Sequence, residues 1–219
     1  MREKSTVGTT ARAEAEVVGS EKVKDIHLDP GELGAILQLI VSDEDGNITE
    51  RREMKSESFV RQFIELLFIK ATRLWTPATI DIRDTGNVVR AGYNHYDYIL
   101  HTPGAITDVT DGIIIGTGTT APTINDYAIE TLIPHATMNY GAQTFGAPAN
   151  DAATSQFTIT RVFANVSGGL VVVNEIALYA LGYDDAARDF MVIRDVIGGG
   201  VNVPNGSSLT VNYRIEVTV

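Results

Sequence analysis

Alternation of apolar and polar residues at a spacing of two dominates this chain and is clearest near its C-terminal end. Leu209, Val211, Tyr213, Ile215, Val217 and Val219 alternate with polar residues, the period of a half-buried strand. A second alternating run puts Phe157, Ile159, Arg161 and Phe163 on one face and Thr158, Thr160 and Val162 on the other. Leu170 to Tyr179 and Phe190 to Ile197 are strand-like throughout, and Asp111 to Gly116 reads as a buried strand that runs into a glycine-rich loop. Nearer the N-terminus, Leu33 to Val41 and Ile48 to Glu53 flank Asp43-Glu-Asp-Gly-Asn, which predicts a hairpin. Asp84 to Asn87 and Asn165 to Gly169 read as turns, and Pro204-Asn-Gly-Ser carries the strongest hairpin signal of all.

One stretch breaks this pattern. From Ser56 to Leu74 apolar residues recur at spacings of three and four, predicting a long amphipathic helix over 56–74 that ends before Pro77. Ser56 or Ser58 would cap it. Phe59, Phe63 and Leu67 would anchor it, and Leu66 to Ile69, apolar nearly all round, would give it more than one contact surface. Residues 1–29 mix Glu, Lys, Thr and Ala without an overall period and read as an extended arm. The organisation expected is therefore an arm over 1–32 and a domain over 33–219. Strands that follow one another without intervening helices after Pro77 point to a mainly β protein, an antiparallel β-sandwich of jelly-roll type.

Composition narrows the function classes. The chain has 219 residues, 44% hydrophobic and 21% charged, so it can bury a core and is not disordered as a whole. Its net charge of −11 repels phosphate, which argues against nucleic acid and against an anionic membrane surface. No apolar run approaches the roughly 20 residues a spanning helix needs, and residues 1–20 lack the apolar segment of a secretory signal. There is no cysteine, hence no disulfide, thiolate ligand or cysteine nucleophile.

Candidate chemistry is sparse. Gly116-Thr-Gly-Thr-Thr-Ala121 fits a relaxed dinucleotide fingerprint, but Pro122 stands where the phosphate-binding helix should run and no P-loop lysine follows. Asp43, Asp45 and Asn47 suggest a calcium loop until position twelve proves to be Met54, so a solvated turn is the better reading. The histidines, His27, His95, His101 and His135, include no pair three to five residues apart, and His95 and His101 lack an evident third ligand. No nucleophile elbow or Ser-x-x-Lys occurs. No enzyme, cofactor or metal is expected.

Three stretches carry a resemblance. They are Gly116 to Ile133; Phe157-Thr-Ile-Thr-Arg-Val-Phe with Val173-Asn-Glu-Ile-Ala-Leu-Tyr179; and Phe190-Met-Val-Ile-Arg-Asp-Val running into the terminal alternating segment. Together they resemble structural proteins of tailed-phage virions, and Asn-Glu-Ile-Ala-Leu-Tyr is similar to the Glu-Ile-Gly-Leu-Tyr/Phe strand of tail, fibre and decoration proteins, with Ala177 where glycine is usual. The resemblance spans roughly 56–219 and implies a non-enzymatic virion protein, with capsid decoration or cementing as the leading placement and tail tip, collar or fibre attachment as the alternative. It implies that the Phe190 strand packs against the Glu175 strand. Glu175, Ile176, Leu178 and Tyr179 would then form a central strand, with Arg161 or Arg194 pairing Glu175, because a buried carboxylate without a partner costs several kcal/mol. Expected partners are further copies of the chain in a homo-oligomer, with a trimer as the candidate state, and major capsid or tail proteins. A reading of another class is a carbohydrate-binding sandwich using Trp75, Tyr93, Tyr96 and Tyr98 as stacking platforms.

Overall fold

The computed structural model describes residues 26–56, 58–72, 82–90, 100–183 and 186–219. It is mainly β, built of antiparallel sheets with one short helix. In chain order the elements are β1 (Leu33–Ser42), β2 (Ile48–Ser56), α1 (Arg61–Thr72), β3 (Ile82–Arg83), β4 (Val89–Arg90), β5 (Gly112–Gly116) and β6 (Met138–Tyr140). They continue with β7 (Thr144–Phe145), β8 (Ala149–Asn150), β9 (Thr154–Asn165), β10 (Val171–Tyr183), β11 (Ala187–Val203) and β12 (Ser208–Thr218). The first sheet runs β2-β1-β12-β9-β6, with β7 and β8 also pairing β9; the second runs β11-β10-β5; β3 and β4 form a small ribbon.

Alternation decides which face is buried. Ala35, Leu37, Leu39 and Val41 of β1 line up with Leu209, Val211 and Tyr213 of β12 and Ile159 and Phe163 of β9, and all join one core with Ile176, Leu178, Ile193 and Val201 of the second sheet. Between the sheets lies a buried polar contact: Tyr213 Oη and Ser56 Oγ both donate to Asp195 Oδ2 at 2.8 Å. The expected hairpin at 43–47 is present, closed by Asn47 N and Nδ2 donating to the Asp43 carboxylate.

Three expectations are corrected. The turn at Pro204 to Ser207 is not a hairpin, because β11 pairs β10 while β12 pairs β1 and β9. It is a corner where the chain passes from the second sheet to the first. Asn165 to Gly169 makes the other corner, and buried Asn165 ties the two together: its Nδ2 donates to Gly169 O at 2.8 Å and Val203 O at 2.7 Å, and its carbonyl accepts Gly206 N at 2.9 Å.

The second correction concerns the helix. It spans 12 residues, Arg61–Thr72, not 56–74. Ser56 is the last residue of β2 and its hydroxyl is engaged by Asp195, so it caps nothing. Ser58 O and Val60 N are bonded to Arg194 N and Val192 O, so this stretch extends the edge of β11 before any helix begins. Ladder bonds outweigh the local helical preference there. Residues 73 and 74 lie outside the described residues. The third correction is Leu67. It is 41% exposed, as are Ile64 and Phe68 at 61% and 40%, whereas Gln62, Leu66 and Ile69 form the buried face. Phe59 precedes the helix in a bridge to Ile193 and, half-buried, stacks on Phe63 with ring centroids 4.6 Å apart.

Of the segment assigned to the arm, residues 1–25 lie outside the described residues. Residues 26–32 lie on the first sheet, held to Glu216, Lys55 and Thr218.

Candidate functional site

Two buried cations organise the side-chain chemistry. The first is Arg194 on β11, opposite Ala177 of β10. Its Nε donates to Glu175 Oε1 at 2.7 Å and its Nη1 to Asp126 Oδ2 at 2.6 Å, while Nη2 stands 3.7 Å from Glu130 Oε2. Glu175 has no exposed surface, and its other acceptor capacity is met by Glu130 N at 2.8 Å and Thr131 N at 3.4 Å. Burial works against the Arg194 charge, but the bonds to Glu175 and Asp126 outweigh it and raise its pKa. Burial likewise opposes ionisation of Asp126, yet the Thr123 hydroxyl and amide, with Arg194, hold its carboxyl below the ordinary range.

This network fastens the segment 117–133 across the second sheet. Tyr179 Oη accepts Ile129 N at 2.6 Å, and burial pushes the phenol up. Asp126 O accepts Gln62 Nε2 at 3.0 Å and Ile124 O accepts Arg61 N at 3.0 Å, which ties the start of α1 to the same segment. The glycine-rich loop has its own anion: Glu130 Oε2 accepts Thr119 N at 3.1 Å and Thr120 N at 3.0 Å. These bonds, with the Thr120 hydroxyl, lower the Glu130 pKa. The amides that could cradle a phosphate are therefore engaged internally. Close approach explains the glycines, since a Cβ at Gly118 would lie 2.4 Å from Glu175 Oε2 and one at Gly116 would lie 2.5 Å from Thr131 O.

The second cation is Arg161 on β9, with no exposed surface. It does not pair Glu175. All its donors go to main-chain carbonyls: Nε to Gly141 O at 2.9 Å, Nη1 to Asp111 O at 3.0 Å and Ile113 O at 2.8 Å, Nη2 to Ala105 O and Asp108 O at 2.7 Å each. The guanidinium also stands over the Tyr140 ring, 5.0 Å from its centroid, and 5.9 Å from that of Phe163. Burial lowers the Arg161 pKa, and the nearby Tyr140, Asp108 and Asp111 oppose that shift.

Other expected site residues fall into place around these two. Ile176, Leu178 and Tyr179 lie on β10, the central strand of the second sheet. Leu178 faces a half-open apolar cavity of about 320 Å³ between the sheets, with Phe59, Phe63, Phe157, Ile193 and Ile215. Trp75, Tyr93, Tyr96 and Tyr98 lie outside the described residues, as does His95. Among the described residues no group of three or more His, Asp or Glu is placed to hold a metal ion, and no helix is long and apolar enough to cross a membrane. Asn165, Asp195 and Glu216 are joints that sequence reasoning missed. Each is a polar residue at a position whose burial only the tertiary structure sets.

The fold and these joints define an antiparallel β protein whose buried charges fasten long loops to sheets. Comparison of the chain with protein-family models, with curated proteins and with solved structures finds no match.

Proposed function

We propose that this chain is a non-enzymatic structural protein of a tailed-phage particle, decorating or cementing the capsid as an oligomer. One observation carries the reading. The two stretches most similar to virion proteins, Asn174 to Tyr179 and Phe190 to Val196, are neighbouring strands in register Ala177 to Arg194, joined by the Glu175–Arg194 pair. The motif residues thus serve a structural joint, as a virion protein of this kind requires. The two sheets, joined at the Asn165 and Pro204 corners, fit a jelly-roll-type sandwich that presents its loops to neighbours. The net charge of −11 fits partners that are proteins, such as further copies and the major capsid or tail proteins, and not nucleic acid or membrane.

Immunogold labelling of purified particles with an antibody to the recombinant chain tests this. Dense labelling of heads is the expected result. A few gold particles at the tail would move the protein to a tip, collar or fibre position within the same class. Absence from every particle would overturn the proposal.

A further inference from the structure

Residues 26–28 and the Asp29 side chain form a strap whose contacts lie across a turn. Glu216 is an unusual residue for the solvent-side face of a sheet, since its side chain has no exposed surface. Its carboxylate accepts Leu28 N at 3.0 Å, lies 3.2 Å from His27 Nδ1 and Arg214 Nε, and accepts Thr218 Oγ1 at 3.2 Å. Burial opposes its ionisation, but these partners outweigh that and lower its pKa. Ile26 O accepts Arg214 Nη2, Lys55 Nζ donates to Asp29 Oδ2 at 2.7 Å, and Leu28 is buried beside Gly34. Ile36, 1% exposed, belongs to the face of β1 that alternates away from the core residues Ala35 and Leu37.

The connection between strap and sheet has the opposite character. Asp29, Pro30, Gly31, Glu32 and Leu33 are all exposed, and Gly31 has φ +87° with nothing within 4 Å of a Cβ. Opening that turn gives up the bonds Glu32 N to Asp29 O at 3.0 Å, Asp29 N to Glu32 Oε2 at 2.9 Å and Gly31 N to Thr218 O at 2.7 Å. Every contact made by residues 26–28 can be regained on the same face of another copy. Exchange of an identical element across a short hinge is a low-cost route to assembly.

We infer that this strap is an interaction element between copies: residues 26–29 of one chain latch onto Glu216, Arg214 and Lys55 of a second, with the turn at Pro30 and Gly31 as the hinge. The inference rests on the reading that the protein assembles with its own kind, and it names the surface. The chain has no cysteine, so thiols can be placed freely. A Cβ at Gly34 would stand 3.2 Å from Leu28 Cδ1, so thiols at 28 and 34 meet when the strap is latched. The Leu28→Cys variant is mixed with isotope-labelled Gly34→Cys protein and oxidised mildly, and the 28–34 linked peptide is sought by mass spectrometry. That disulfide can form only between chains.

Exchange predicts a mixed disulfide whose yield drops about tenfold when the Gly34→Cys partner also carries Glu216→Gln, the loss of roughly one latch bond. The double variant Leu28→Cys/Gly34→Cys reports whether the strap latches at all. If it closes within single chains and the mixture gives no cross-link, exchange is refuted. If neither closes, the latch itself is refuted and the inference with it. Light scattering on the unmodified protein separates the two ideas. A defined oligomer without the mixed disulfide would leave assembly standing and remove the strap from it, whereas a monomer absent from particles would remove the virion reading.

Discussion

Arg161 should be among the costliest residues in the molecule to replace, although it touches no carboxylate. Arg161→Met keeps comparable length and removes every donor, leaving the carbonyls of Gly141, Asp111, Ile113 and Asp108 without the guanidinium and Ala105 O with only Asp108 N. A hydrogen bond from a charged donor contributes about 1.5–3 kcal/mol, and an acceptor stranded in the interior costs about 1–3 kcal/mol. Those figures do not add, because water can enter and the desolvation of the guanidinium is relieved. About 1 kcal/mol for each of the four stranded carbonyls, with the lost Ala105 bond, is a conservative count and gives about 4–5 kcal/mol. That is a large share of the ~5–15 kcal/mol by which domains are stable, and at ~2–4 °C per kcal/mol for a chain of this size it lowers the Tm by about 10–20 °C. Arg161→Lys keeps the charge and at most three donors, so at least two of the five bonds are lost and the cost is about 2–3 kcal/mol. Urea unfolding followed by circular dichroism gives both values, and hydrogen exchange over 105–113 should rise in both variants. If Arg161→Met lies within 1 kcal/mol of the parent, or Arg161→Lys matches it, the carbonyl cluster does not depend on the guanidinium and the argument is wrong.

Three further outcomes are expected. Glu175→Gln removes the charge facing Arg194, which is 3% exposed, and should cost about 3 kcal/mol in urea unfolding; an unchanged melting temperature would show that the pair is not a structural joint. Gly118→Ala drives a Cβ to 2.4 Å from Glu175 Oε2 and should cost about 1–3 kcal/mol, whereas Gly169→Ala, with nothing within 4 Å, should stay within about 0.5 kcal/mol; equal melting temperatures for the two would contradict the packing. Burial, then the charges of Asp111, Asp108 and Asp84, push the Asp189 carboxyl up to about 6 from 3.8. The native state therefore binds more protons than the unfolded chain between those values, and this group's contribution to stability falls as pH rises through that window. Asp189→Asn should flatten the dependence and stabilise the protein by about 3 kcal/mol at pH 7, read from urea midpoints across pH.

Strand existence and facing were legible because alternation is a local property that burial on one side enforces. Leu209, Val211 and Tyr213 face the core as their period requires, and Ile159 and Phe163 do the same on the neighbouring strand, where Phe157 is 37% exposed. Partnership was less legible. Pro204-Asn-Gly-Ser carries the residues of a hairpin turn, and the same residues also suit a corner between sheets. What separates the two is the identity of the strands β11 and β12 each pair with, and that depends on residues far away in sequence. The helix failed for a related reason. Ser56 to Val60 has helical spacing, but the backbone of Ser58 and Val60 finds better use along β11. Leu67 went with it, since a shorter helix resting on Leu66 and Ile69 turns Leu67 outward.

The charged joints show where composition misleads. Arg161 shares a face with Phe157, Ile159 and Phe163, and a cation on an apolar face suggests a carboxylate partner. Arg161 instead meets carbonyls of the segments 105–113 and 141, groups that every residue possesses and no side-chain pattern reveals. Arg194 was one of two expected partners for Glu175, since both are side chains and the resemblance implied that their strands are neighbours. Asp126 and Glu130 were not expected, because they lie on a loop whose path over the sheet is set by the very bonds they make. The same holds for Glu216, whose place in the alternation of β12 predicts exposure until residues 26–28 fold over it. Loops fastened by ionic bonds to buried charges are thus the part of this molecule that its linear pattern conceals. On the proposed virion reading they are also the part that would face neighbours. That reading predicts that substitutions at Glu175, Arg194 and Glu216 dissociate the oligomer, followed by light scattering, at lower urea than they unfold the core, followed by circular dichroism; loss of both at one urea concentration would refute it.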